Sequence, residues 1–244
     1  MSTYTYHDML ALYGVGGAHP GGLGLTKELL KGKDINQNTR ILDAGCGTGQ
    51  TAAYLAETFG CYVTALDRHP VMIEKAKKRF NKNKSLKIEL IHGDVENIPL
   101  PDGLFDIVLA ESVTVFTTIA RTVSEYARVL RSGGILLDLE MTSASPFSNM
   151  ELQEFTKVYG IKQIPTENEW KTAIKRAGFQ NVNVIVEKNV GKELKELQMM
   201  PVETQELDIS YPLDPFLFEI MGDHQSLAEK YSSRINYAVY KGIK

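Results

Sequence analysis

The stretch Arg40-Ile-Leu-Asp-Ala-Gly-Cys-Gly-Thr-Gly49 decides how this chain is read. Arg40 to Asp43 is a short apolar strand, and three glycines at alternate positions, Gly45, Gly47 and Gly49, follow at once. Glycine lets the backbone turn tightly and come close to a ligand. A helix is predicted directly behind, from Thr48 or Gly49 to Phe59, with Ala52, Ala53, Leu55, Ala56 and Phe59 as its apolar set. A helix start presents free N–H groups, so this strand–turn–helix unit is a candidate ligand cradle. Taken alone, a glycine-rich turn is equally a tight connection with no ligand.

Working outward, the same rhythm repeats. Tyr62 to Leu66 reads as strand and ends in Asp67; Pro70 marks a helix start that Val71 to Phe80 continues. Ile88 to Ile91 is strand, ending near Gly93-Asp94, and Phe105 to Ala110 is another. Thr118 to Leu130 reads as helix stopped by Ser132-Gly133-Gly134, and Ile135 to Leu139 as strand. These strands carry little polar alternation, which suits a parallel sheet covered by helices on both faces. Further on, Asn168 to Ala177 is helical, and Val182 to Val186 with Asn236 to Tyr240 suit a closing hairpin. Three strand ends then carry Gly45, Asp67 and Asp94 to one crevice, because ligands of open parallel sheets sit outside the carboxyl ends. Asp67 follows the glycine turn at the spacing of about 20 residues at which a carboxylate meets a ribose hydroxyl pair. A pyrophosphate-binding dinucleotide site fits less well. The spacing is G-x-G-x-G, and Asp43 just before it suits an ammonium better than a diphosphate.

The stretches ILDAGCGTG, VTALD, GDVENIPLPDGLFDIVLAES and EYARVLRSGGILLDLE together resemble the core of the class I S-adenosylmethionine-dependent methyltransferases, over residues 40–141. The resemblance implies an α/β, Rossmann-like, seven-stranded, mostly parallel sheet with an antiparallel last strand and helices on both faces. It implies S-adenosylmethionine as cofactor and methyl transfer to a small-molecule acceptor through an O, N or C nucleophile. By position, Gly45, Cys46, Gly47 and Gly49 belong to the loop along the methionine moiety, with Asp43 supporting it. Asp67 falls to the ribose, Asp94 and the Val95 backbone to the adenine edge, Arg68 and Met72 to its flanks, and Glu111 to the methionine end. RNA or protein methylation, or cofactor binding without turnover, stay open as alternatives. The place after the fourth strand reads Ala110-Glu111-Ser112-Val113, without the Pro-Pro motif of base N6-methylases.

The rest of the chain frames this core. Its 244 residues are 43% hydrophobic and 23% charged, enough for a sizeable core, and the net charge of -3 argues against a chain that coats nucleic acid or an anionic membrane. The basic run from Lys75 to Lys87 reads as the solvated face and C-terminal end of a helix. Two cysteines are too few for a disulfide scaffold, no apolar run is long enough to span a membrane, and no leader is apparent; a cytoplasmic protein is expected. The five histidines have no metal-ligand spacing, so no metal is expected. Residues 1–24, rich in Tyr and Gly, read as a loop or flexible arm that closes as a lid. Residues 25–190 and 232–244 form the core, and 191–231 an inserted cap over the acceptor pocket, with Met199, Met200, Phe216, Phe218 and Met221 lining either that pocket or the cap's own core. For an acceptor that loses a proton, the candidate bases are His19, Tyr13, Glu111 and His224.

Overall fold

A computed structural model describes residues 4–192, 206–209 and 214–244. Seven strands form one sheet in the order β3-β2-β1-β4-β5-β7-β6. They are β1 (Arg40–Ala44), β2 (Tyr62–Asp67), β3 (Ile88–His92), β4 (Phe105–Glu111), β5 (Leu130–Ser143), β6 (Gln180–Asn189) and β7 (Ile235–Ile243). The first five run parallel; β7 lies antiparallel between β5 and β6. The expected closing pair is therefore present, and it extends the parallel sheet on the β5 side. Strands β1, β2 and β4 are buried almost end to end, as strands covered on both faces must be.

Alternate strand residues serve two cores. Leu42, Leu66 and Val108 face a core with Tyr126, Phe155 and Trp170, while Ile41, Val63 and Ile107 face one with Leu55 and Ala56. Helices α3 (Gln50–Phe59) and α4 (Pro70–Phe80) connect the first three strands, and α5 (Ile119–Val129) leads into β5. The strand order turns back between β1 and β4, the place where parallel sheets open a crevice.

Three differences from the sequence reading have local causes. The N-terminal stretch expected as loop contains α1 (Tyr6–Tyr13), because Thr5 and Asp8 form a capping box: Asp8 N donates to Thr5 Oγ1 (3.2 Å) and Thr5 N to Asp8 Oδ2 (2.7 Å). The helix expected from Thr26 is α2 (Gly22–Leu30) and starts four residues earlier. Gly133-Gly134 do not precede the fifth strand but lie inside it, since β5 already pairs at Leu130 with Phe105 and shifts register before Ile107.

Two further helices, α6 (Asn149–Tyr159) and α7 (Glu167–Arg176), follow β5. Of the expected cap, residues 193–205 and 210–213, including Met199 and Met200, lie outside the described residues. Within it, α8 (Phe216–Lys230) buries Leu217 and Ile220 against Met9, Tyr13 and Val15. Phe216 and Met221 pack at the edge of that cluster, and Phe218 is exposed. Among the described residues no helix is long and apolar enough to cross a membrane.

Candidate functional site

The glycine turn is tied to the next strand before any side chain is considered. Gly45 N and Cys46 N both donate to Leu66 O (2.7 and 2.9 Å), so the ends of β1 and β2 move as one. Gly45 has φ +78°, and a Cβ there would lie 2.4 Å from Val113 Cγ2. Asp67, at the end of β2, accepts from Gly47 N (2.9 Å) through Oδ2 and from His69 N (2.7 Å) through Oδ1. Its carboxylate is thus aimed by the turn itself. Arg79 Nε donates to Thr48 O (2.8 Å), fastening α4 to the same turn.

These elements wall a cavity of about 1020 Å³, its open mouth included. Of the residues singled out in the sequence, Asp43, Gly45, Cys46, Gly47, Asp67, Arg68, Met72, Val95, Glu111 and the candidate base His19 line it. Four expected residues stand outside the lining. Gly49 caps α3, where a Cβ would meet the Phe80 ring at 2.5 Å, so its lack of a side chain serves helix packing. Asp94 turns back on its own chain and accepts from Glu96 N (2.8 Å), while its neighbours Gly93 and Val95 reach the cavity. Tyr13 is buried beside α8, its ring edge-on to Phe218. His224 Nδ1 meets Tyr159 Oη at 2.8 Å, and its ring stacks on Tyr6. Neither Tyr13 nor His224 is therefore placed as a base at this cavity.

Three carboxylates dominate the electrostatics. Asp43 is wholly buried, and among the described residues its Oδ2 has no hydrogen-bond partner. Burial first, then the charges of Glu111 and Asp67, push its carboxyl well above the usual range. Glu111 is differently placed: Thr26 Oγ1 donates to its Oε1 (2.6 Å) and Thr51 Oγ1 to its Oε2 (2.8 Å). Each oxygen thus accepts one hydroxyl, from α2 and from α3. His19 Nε2 stands 3.5 Å from Glu111 Oε2, near enough for charge pairing but misaligned for a hydrogen bond, and its Nδ1 faces Pro20 O at 3.3 Å. The two side chains are 4% and 7% exposed, so little water screens them.

A further part of the wall comes from the N-terminal arm expected as a lid and from the turn after β4, which the sequence did not single out. His7 and Leu10 of α1 line it, with Ser112, Val113, Phe116 and Thr117 from the turn after β4. The His7 ring packs edge-on against Phe116 (4.6 Å), and burial, helped by Arg68 and His69, holds its imidazole down at about 4. His69 Nε2 contacts Asp8 Oδ1 (3.1 Å), linking α1 to the segment that follows Asp67. The wall thus joins residues over a hundred positions apart. The one local signal for its α1 half was the Thr5-x-x-Asp8 box. Among the described residues no group of three His, Cys, Asp or Glu side chains stands close enough to hold a metal ion.

Comparison with known proteins gives consistent results. A methyltransferase domain family matches residues 42–138. The uncharacterized methyltransferase YodH of Bacillus subtilis (strain 168) is 36% identical over 239 residues, 98% of this chain and 99% of that protein. A malonyl-[acyl-carrier protein] O-methyltransferase of Paenibacillus sp. (strain JDR-2) is 33% identical over 158 residues, 59% of this chain and 56% of its own. Among solved structures, Haemonchus contortus phosphoethanolamine N-methyltransferase 2 in complex with S-adenosyl-L-methionine superposes with a TM-score of 0.76 at 19% identity, covering 100% of this chain and 58% of that one.

Proposed function

Because this chain belongs to the class I S-adenosylmethionine-dependent methyltransferases, we propose that it transfers a methyl group to a small-molecule acceptor held in the cavity of Asp43, Asp67 and Glu111. The cofactor, when bound, supplies a methyl group already activated on a sulfonium. The residues present fit it. The unpartnered Asp43 Oδ2 in the cavity wall is the observation that carries the reading, since a buried carboxylate oxygen left without a donor calls for a cationic partner such as an ammonium. Asp67 would hold the ribose hydroxyls from a position fixed by Gly47 N and His69 N. Arg68, Met72, Gly93 and Val95 would flank the base.

What remains for the protein is alignment of the acceptor, exclusion of water and, where the acceptor loses a proton, a base. His19 is the group assigned that last task, because its Nε2 carries no hydrogen bond among the described residues, whereas each Glu111 oxygen already accepts one, from Thr26 or Thr51. A proton taken up at His19 Nε2 lies 3.5 Å from the Glu111 carboxylate, which stabilises the resulting charge. Water exclusion is the task assigned to residues 1–24, of which His7, Leu10, Val15, Gly17, Ala18 and His19 line the cavity. The loop after α1 is further held by segment 206–209, with Gly16 N donating to Glu206 O (2.8 Å) and Arg79 pairing with the Glu206 carboxylate (2.9 Å).

The small-molecule part of the reading is supported by the relatives' chemistry. Incubating the protein with S-adenosylmethionine and a metabolite panel, and following S-adenosylhomocysteine, tests it. Product formed only with macromolecular acceptors would overturn it.

A further inference from the structure

The buried pair Asp138 and Glu140 lies outside the cavity, and the chemistry above gives it no part. Both belong to β5, two residues apart, and so share one face of the sheet. Both are fully buried, and no cation contacts either among the described residues. Buried carboxyl groups without a cation are costly unless something specific offsets them.

What offsets Glu140 is backbone. Its Oε1 accepts from Val113 N (2.9 Å) and Thr114 N (2.7 Å), and its Oε2 from Val115 N (3.1 Å). These are the free N–H groups at the start of the 3-10 helix Thr114–Phe116, so one carboxylate caps the whole turn after β4. Asp138 Oδ1 accepts from Thr114 Oγ1 (2.9 Å), and Tyr126 Oη lies 3.5 Å from the same hydroxyl. Burial, and then the neighbouring Glu140, push the Asp138 carboxyl well above its usual range, while the three amides oppose the effect of burial on Glu140.

The turn held in this way forms part of the cavity wall. Ser112 takes a left-handed backbone (φ 58°) with its N–H on Leu139 O (2.7 Å), and Val113 lies directly over Gly45 of the glycine turn. Ser112, Val113, Phe116 and Thr117 all line the cavity. We propose that Glu140, which does not itself line the cavity, is a positioning residue for the cofactor site, holding the Ser112–Thr117 wall against the glycine turn through its three backbone hydrogen bonds. This rests on the cavity being the S-adenosylmethionine site.

Calorimetry with S-adenosylhomocysteine on wild type, Glu140→Gln, Glu140→Asp and Leu136→Val tests it. Leu136 is buried on the same strand and does not line the cavity, so its variant reports a loss of stability alone. The expected result is affinity weakened roughly tenfold to a hundredfold in Glu140→Gln. The loss should be smaller in Glu140→Asp, which keeps the charge, and Leu136→Val should bind as wild type does despite a lowered Tm. Equal affinity in folded Glu140→Gln and wild type would overturn the proposal, as would an equal loss in Leu136→Val. A wild type that does not bind S-adenosylhomocysteine would instead overturn the reading of the cavity. Should Glu140→Gln not fold, hydrogen exchange of the wild type decides: amides 113–115 must gain protection on adding S-adenosylhomocysteine, and no gain refutes the role.

Discussion

Gly45→Ala puts the geometry of the glycine turn to a quantitative test. At φ +78° an L-residue meets the steric cost of left-handed backbone, about 1–2 kcal/mol. The new Cβ would also sit 2.4 Å from Val113 Cγ2 and 2.9 Å from Cγ1, so Val113 must move, and forcing a group into a packed site costs about 1–3 kcal/mol. The sum is about 2–5 kcal/mol, or a fall in Tm on the order of 5–15 °C for a chain of this size. Val113→Ala alone should cost about 1–2 kcal/mol of lost burial. In the double variant the Cβ at position 113 remains 3.2 Å away, so the clash is largely relieved and mainly the backbone strain is left. The two substitutions should therefore be non-additive, with a coupling of about 1–3 kcal/mol favouring the pair. Urea denaturation of the four proteins measures it. Additivity within about 0.5 kcal/mol would refute the direct packing of Val113 on Gly45.

Other perturbations separate function from stability. Asp43→Asn removes a buried, proton-hungry carboxyl, so stability at pH 7 should equal or exceed wild type by up to about 2 kcal/mol while S-adenosylmethionine affinity falls; thermal melts and calorimetry check both. His19→Asn should leave S-adenosylhomocysteine affinity within about threefold of wild type and lower kcat about 10²–10⁴-fold with any acceptor that loses a proton, as read by product formation. Glu140 is raised from 4.5 to about 7 in the folded state, chiefly by burial. A raised carboxyl pKa stabilises the fold below the unfolded value and loses that contribution as pH climbs through the folded one. The stability of wild type relative to Glu140→Gln should thus fall by about 3 kcal/mol between pH 4.5 and pH 8, measured by urea denaturation across that range.

Much of the sheet could be read from sequence because its strands are buried on both faces and its glycine turn is local. Spacing singles out Asp67 at a strand end, and the structure adds that Gly47 N and His69 N aim it. Helices α1 and α6 were passed over because tyrosines, glycines and polar residues mask their apolar faces. Yet Thr5-x-x-Asp8 and Ser148-x-x-Glu151 carry capping boxes that short-range reading can detect. The partners of Glu111 were beyond such reading: Thr26 is 85 residues away and Thr51 is 60, joined only by tertiary packing. Glu140 fell just past the predicted strand Ile135 to Leu139, and nothing in the sequence near it announces three amides from the turn after β4. Tyr13 and His224 were plausible bases by type, but packing turns Tyr13 toward α8 and His224 toward Tyr159.

The assignment of the cavity as the S-adenosylmethionine site is tested most directly by calorimetric titration of S-adenosylhomocysteine into wild type and Asp67→Ala. One saturable site per chain is predicted for wild type, with binding weakened by about 1–3 kcal/mol once the carboxylate aimed by Gly47 N and His69 N is removed. No saturable heat in wild type, or equal affinity in a folded Asp67→Ala, would contradict it.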